Sequence, residues 1–146
     1  MRAVVQRAAW ARVSVAGEVV GSLDGSGFVV LVGVRNGDGE GEARALASKL
    51  WTLRIIDDDE GRMNRSLSDV GGGLLVISQF TLYADASKGR RPSFAAAAPG
   101  ALAEPLVERV VEHLRDLGAE VVTGRFGAEM LVELANDGPV TLIIDT

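Results

Sequence analysis

Two uninterrupted apolar runs, GFVVLVGV at 27–34 and GLLVISQF at 73–80, dominate the pattern of this chain. Runs of that length, opened by glycine, predict strands buried on both faces. AVVQRA at 3–8 and ARVSVAGEVVGSL at 11–23 alternate apolar and polar residues in part, with many β-branched positions. They predict strands joined by tight turns at Ala8–Trp10 and near Gly17. AEVVTGRF (119–126), AEMLVELA (128–135) and VTLIIDT (140–146) read as the closing strands.

Two stretches change period. After NGDGEGE, the segment EARALASKLWTLRI places Ala43, Leu46, Ala47, Leu50, Trp51 and Leu53 near a 3.6 repeat, and its leading acids suit a helix N-terminus. ALAEPLVERVVEHLRDLG sets Leu102, Leu106, Val110, Leu114 and Leu117 on one face, with Gly118 as a stop. The polar stretch 57–73 reads as a long connection. The predicted fold is α+β: β-rich mixed sheets, barrel-like, with two covering helices, in a single domain over 1–146.

Composition narrows the chemistry. The 146 residues, 47% hydrophobic, can bury one sizeable core, and no stretch is long enough to span a bilayer. MRAVVQRAAWAR does not read as a signal peptide, so a soluble protein of a reducing cytoplasm is expected. Cysteine is absent, which removes thiol catalysis and thiolate metal sites. A net charge of −5 leaves no extensive basic face for a long DNA duplex. The single histidine, His113, lies in the second helix and reads as an ordinary helix residue. No metal or cofactor is expected: a multi-histidine site is impossible, and Asp57–Glu60 lacks the spacing of a calcium loop. Any catalysis must rest on hydroxyls, amides, backbone dipoles or the substrate itself.

Three segments carry candidate chemistry. Ser78, Gln79 and Thr81 are polar where a core strand emerges, either as functional groups or as a strand end satisfying its own backbone. KGRRPSF gathers Lys88, Arg90 and Arg91 beside Phe94. Such a loop can clamp phosphate and stack a base, or can simply be solvated. NDGPVT at 136–141 is a stiff turn, in which the residues alone favour a trans Pro139.

Together these segments resemble the D-aminoacyl-tRNA deacylase family. SQFTL at 78–82 and NDGPVT match its two signature motifs, and MRAVVQRA, LRII, RMN, KGRRPSF and GRFGAEMLVELANDGPVT follow in the family's order. The match spans effectively the whole chain; the acidic 57–60 loop and Ala86–Ser87 are small departures. The resemblance implies a homodimer that hydrolyses the ester joining a D-amino acid to the tRNA 3′ end. It further implies a cis Gly138–Pro139 bond and a corner that crosses the subunit interface into the partner's active site. There its carbonyl oxygens would capture the amino group and exclude an L side chain. Glycine has no side chain to exclude, so glycyl-tRNA, including glycine mischarged on tRNA(Ala), would be cleaved too.

By the same resemblance Ser78, Gln79, Phe80 and Thr81 surround the ester, with backbone N–H groups of Phe80 and Thr81 facing the developing oxyanion. Met130, Asn136 and Arg7 are implied on the substrate side, and Lys88, Arg90, Arg91 and Phe94 on the tRNA side. Water, helped by the terminal ribose 2′-OH, is the expected nucleophile, because no base neighbours Thr81 in sequence. An RNA-end binder without catalysis and an esterase of small D-amino acid esters are the rival readings.

Overall fold

β3 (Gly27–Gly33) and β6 (Gly73–Ser78) lie parallel at the centre, and both the apolar runs they carry are buried on two sides. In this computed structural model, which describes residues 1–87 and 89–146, they divide two cores. Phe28, Val30, Val32, Leu74 and Val76 face the helices, whereas Val29, Leu75 and Ile77 face the opposite core. That is the period-two alternation of a strand applied to a continuous apolar run.

The sheet order is β2–β1–β3–β6–β7, with β8 on the free side of β1. β1 (Arg2–Val15) is long enough to pair β3 with its first half and β2 (Glu18–Leu23) with its second. β8 (Leu131–Asp145) runs along its other edge. β2 curls back until a Cβ on Gly21 would lie 2.8 Å from the Thr123 carbonyl at the end of β7 (Glu120–Thr123), so the sheet nearly closes into a barrel. The fold is a single α+β domain.

The two turns expected inside strands are bulges instead. β1 continues through Ala8–Trp10, where Ala8 pairs Asn136 and Ala11 pairs Leu134, so three steps on β1 match two on β8. NDGPVT also lies within β8: Gln6 pairs Thr141 and Ala8 pairs Asn136, five steps against two. The surplus residues leave the ladder without ending it, as bulges do. The expected trans Pro139 gives way to a cis Gly138–Pro139 bond, as the family resemblance implies.

Helix α1 (Glu40–Thr52) buries Ala43, Leu46, Ala47 and Leu50 as its period predicts. Helix α3 (Gly100–Asp116) is rotated from expectation: Ala103, Val110, Val111 and Leu114 are buried, while Leu102 and Leu117 are exposed. At about 100° per residue the buried Ala103, Val110, Leu114 and Val111 centre well past Leu102, which therefore leaves the packed face, while Leu117 is the C-cap, beyond the last turn. The stretch after α1 holds a small hairpin, β4 (Ile56–Asp57) with β5 (Met63–Arg65), and a one-turn helix α2 (Leu67–Val70). α2 brings the α-helices among the described residues to three. No helix among the described residues is long and apolar enough to cross a membrane.

Candidate active site

β6 delivers Ser78 to the surface of the sheet, and the chain then changes direction. Gln79 N–H donates to the Val32 carbonyl at 2.7 Å, and Phe80–Tyr83 form a 3-10 turn. Gly33 on the neighbouring strand leaves room for this turn: a Cβ there would stand 3.1 Å from both the Gln79 oxygen and Leu82 Cβ. The N–H groups of Phe80 and Thr81 open the turn, where amide hydrogens have no partner inside it.

Ser78, Gln79 and Phe80 border a cavity of about 460 Å³, with Val32, Ile77 and Val132 among its other apolar walls. Ala98, Gly100, Ala103 and Val107 line it from α3 and the chain just before it, and Phe126, Gly127, Ala128 and Met130 from the segment between β7 and β8. Met130 fits because position 124 is glycine: a Cβ there would fall 2.5 Å from its sulfur. Among the described residues, none that lines it carries an ionisable side chain. A larger cleft of about 580 Å³ shares Ser78, Val107 and Phe126 but is walled by Glu104, Glu108, Glu112, Arg115 and Arg125. That cleft sets three glutamates against two arginines, so its walls are charged where those of the smaller cavity are not.

Thr81 does not line the cavity. Its hydroxyl accepts a hydrogen bond from the Gln79 side-chain amide, a donor that cannot serve as a base. Phe94 lies outside the lining but touches it indirectly: its ring meets Phe80 edge-on at 5.1 Å between centroids, and both rings are solvent-exposed. The intervening loop is tied at its base by the Asp85–Ser93 bridge, with N–H···O distances of 2.8 and 2.9 Å. Hydrogen bonds from Ser87 hold the Asp85 carboxyl below its ordinary range. Asn36 donates to the Ala95 carbonyl at 3.1 Å and so steadies the chain after Phe94. Arg90 and Arg91 are exposed and make no ion pair among the described residues; Lys88 lies outside them.

The Asn136–Pro139 corner forms a second cluster, which does not line the cavity of its own chain. Asn136 Nδ2 donates to the carbonyls of Arg7 and Val140, both at 2.9 Å, and closes the bulge. Arg7 Nε donates to the Asp137 carbonyl at 3.4 Å and pairs with its carboxylate at 3.2 Å. Gly138 has φ +117, a conformation that favours glycine, and a Cβ would meet Val140 Cγ2 at 2.8 Å. Asp137, Gly138 and Pro139 are exposed.

The family resemblance implied Ser78, Gln79, Phe80 and Thr81 around the ester with Met130 beside them; the structure brings Ser78, Gln79, Phe80 and Met130 to one cavity and leaves Thr81 off its lining. Sequence patterns did not single out Phe126 or the small residues of the α3 wall, which sit in segments without polar chemistry. Asp57 and Asp137, which grip Arg7, were equally hidden. His113 belongs elsewhere: its Nε2 lies 2.6 Å from Glu40, joining α3 to α1. No group of three metal-ligating side chains occurs among the described residues.

Residues 4–145 match the family described as D-Tyr-tRNA(Tyr) deacylase. The chain is 59% identical over 145 residues to a D-aminoacyl-tRNA deacylase of Thermobifida fusca, covering 99% of each. It is 58% identical over 148 aligned residues to one of Nocardia farcinica, covering all of both. Among solved structures it superposes on a c-Myc DNA Unwinding Element Binding Protein with TM-score 0.93 and 36% identity, covering 100% of this chain and 99% of that one. A probable eukaryotic D-amino acid tRNA deacylase shares the fold with TM-score 0.86 at 18% identity, covering 99% and 98%.

Proposed function

Because the chain belongs to the D-Tyr-tRNA(Tyr) deacylase family and is a hydrolase of the D-aminoacyl-tRNA ester, we propose that the cavity at the end of β6 receives the terminal adenosine and its ester. The observation that carries this reading is the convergence of Ser78, Gln79, Phe80 and Met130 on one largely apolar cavity, uncharged among the described residues, where the 3-10 turn begins. A planar base suits the small-residue wall at Ala98, Gly100 and Ala103. The Phe80 and Thr81 N–H groups then face the carbonyl oxygen, where one well-aimed donor contributes about 2.7–4 kcal/mol in favourable sites.

Water is the nucleophile in this reading, with the ribose 2′-OH of the substrate assisting. The Thr81 hydroxyl is occupied by an amide donor, and among the described residues no carboxylate, imidazole or amine lines the cavity to activate it. The protein contributes position and polarity.

Handedness is decided at the Gly138–Pro139 corner. A backbone wall held from behind by Arg7 and Asn136 leaves space for hydrogen at one position of the α-carbon and none for an L side chain. Glycyl esters, including glycine on tRNA(Ala), pass the same wall. The corner does not line its own chain's cavity, so the reading requires a homodimer in which each corner serves the partner's cavity.

Arg90, Arg91 and Phe94, with Lys88, contact the approaching RNA strand. The partner is a tRNA end and not duplex DNA, whose charge an acidic chain of net −5 cannot match over a long face. The place of action is the cytoplasm, where charged tRNA is found.

The decisive experiment incubates the protein with D-tyrosyl-tRNA and L-tyrosyl-tRNA. Release of free D-tyrosine with the L ester left intact is expected. Protection of both esters would identify a binder, and equal cleavage would remove the steric wall from the account.

A further inference from the structure

The acidic run at 57–60, which reads in sequence as a solvated turn, divides into separate tasks. Asp58 caps the hairpin turn by accepting from the backbone N–H groups of Glu60 and Arg62 at 2.9 and 3.0 Å. Asp59 pairs with Arg65 at 2.8 Å and Glu60 with Arg62 at 3.1 Å. Asp57 alone turns toward β1, where Arg7 Nη1 donates to its Oδ1 at 3.1 Å.

Arg7 is the hub of this contact. Its side chain is 11% exposed, and Nη1 also donates to the Ile55 carbonyl at 2.9 Å. On its other edge Nε reaches the backbone carbonyl and one carboxylate oxygen of Asp137, the residue before Gly138. Its remaining nitrogen, Nη2, stands 3.1 Å from the point where a Gly138 side chain would begin. A planar guanidinium gripped on two edges cannot rotate about its long axis. Whatever fixes that plane also fixes the surface against which Gly138 rests.

We propose that Asp57 is a positioning residue for stereochemical selectivity, acting through Arg7 on the Gly138–Pro139 corner. The proposal rests on the reading that this corner excludes L side chains. Asp57 touches neither ester nor RNA in it. Without the carboxylate, Arg7 keeps only the Ile55 carbonyl on the β4 side, and the corner gains freedom to yield to a larger α-substituent.

The test compares Asp57→Ala, Asp57→Asn and Gly138→Ala with the unaltered protein, measuring hydrolysis of D- and L-tyrosyl-tRNA by the same preparations. Asp57→Ala is expected to raise the L-to-D rate ratio by about tenfold, the scale of one lost hydrogen bond to a charged group. The rise should come chiefly from faster L-ester cleavage. Asp57→Asn, which keeps an oxygen for Nη1, should fall between the two. A role in folding alone would lower both rates together and leave the ratio constant. An unchanged ratio in folded Asp57→Asn and Asp57→Ala overturns the proposal. If Gly138→Ala then shifts the ratio, only the role of Asp57 is lost. If Gly138→Ala leaves it constant too, the corner does not set handedness and the underlying reading falls.

Discussion

Arg7 and Asp137 meet although 130 residues separate them, the guanidinium Nε lying 3.4 Å from the Asp137 carbonyl and 3.2 Å from its carboxylate. The contact exists because β1 and β8 are paired antiparallel across a place where their registers disagree. Between Gln6–Thr141 and Ala8–Asn136, β8 spends five steps where β1 spends two. Arg7 is the one β1 residue opposite that surplus, so its side chain fills the space the ladder vacates. A local irregularity of the sheet thereby becomes a braced corner at the surface.

Gly138→Ala should damage this corner more than the small change suggests. At φ +117 an alanine is strained, and its methyl would press on Val140 Cγ2 at 2.8 Å and Arg7 Nη2 at 3.1 Å. A non-glycine residue in such a conformation costs about 1–3 kcal/mol. The expected result is a loss of about tenfold or more in kcat/KM on D-tyrosyl-tRNA, since each 1.4 kcal/mol is a factor of ten. Circular dichroism should report an intact fold.

Thr81→Ala distinguishes water from a covalent threonine. The substitution removes the partner of the Gln79 amide, and one net neutral hydrogen bond is worth about 0.5–1.5 kcal/mol. Turnover should remain within about tenfold of the unaltered protein, as that range implies. Complete loss, with RNA binding retained, would reinstate the hydroxyl as nucleophile. A 2′-deoxy terminal adenosine should be cleaved more slowly by both proteins.

The loop between Asp85 and Ser93 predicts a salt-dependent step. Replacing Arg90 and Arg91 together by alanine should weaken tRNA binding and reduce the slope of log K against log salt by about 1.4, or 0.7 per phosphate contact. Phe94→Ala should weaken binding by about 1–3 kcal/mol through lost stacking, with little change in that slope. Small D-tyrosine esters should be cleaved equally by all these variants. Loss of small-ester cleavage would move the loop into the catalytic machinery.

The elements most legible in sequence were those whose pattern has one physical solution. GFVVLVGV and GLLVISQF could only be two-sided core strands, and the period of Ala43, Leu46, Ala47 and Leu50 placed α1 correctly. The bulges were not legible, because Ala8–Trp10 and NDGPVT carry the same residue types that would end a strand. Only the partner strand reveals that pairing resumes beyond them. Likewise a single row of leucines mis-rotated α3, since Ala103 and Val111 contribute to its packed face. At the site, Ser78, Gln79 and Thr81 announced themselves by polarity after a core strand, whereas Phe80 and Met130 entered only through the family resemblance. The grip of Asp57 and Asp137 on Arg7 depends on contacts 50 and 130 residues apart, which local spacing cannot express.

Acid stability should depend on the helix pair. Hydrogen bonds from Arg109 and then His113 hold the Glu40 carboxyl at about 2, against an ordinary 4.5. The folded state therefore favours the ionised form, and this contribution is complete above pH 4.5 and fades as pH falls toward 2. Glu40→Gln should lower the denaturant midpoint at neutral pH and flatten the decline across that acid window. A decline of equal steepness in both proteins would place the acid-sensitive contacts elsewhere.

The outer edge of β8 makes the last prediction. β8 pairs β1 alone among the described residues, and Leu131 and Ile143 along it are 64% and 69% exposed. An unpaired strand edge bearing large apolar side chains invites another chain. Ile143→Lys should shift the protein toward monomer in sedimentation equilibrium, because a desolvated lysine opposes that contact. The corner is not among the residues lining its own chain's cavity, so if each corner serves the partner's cavity as proposed, activity on D-tyrosyl-tRNA should fall in parallel with the dimer fraction. A monomer that still cleaves the D ester and spares the L ester would show that one chain builds the whole site, and the corner would lose its role as the partner's wall.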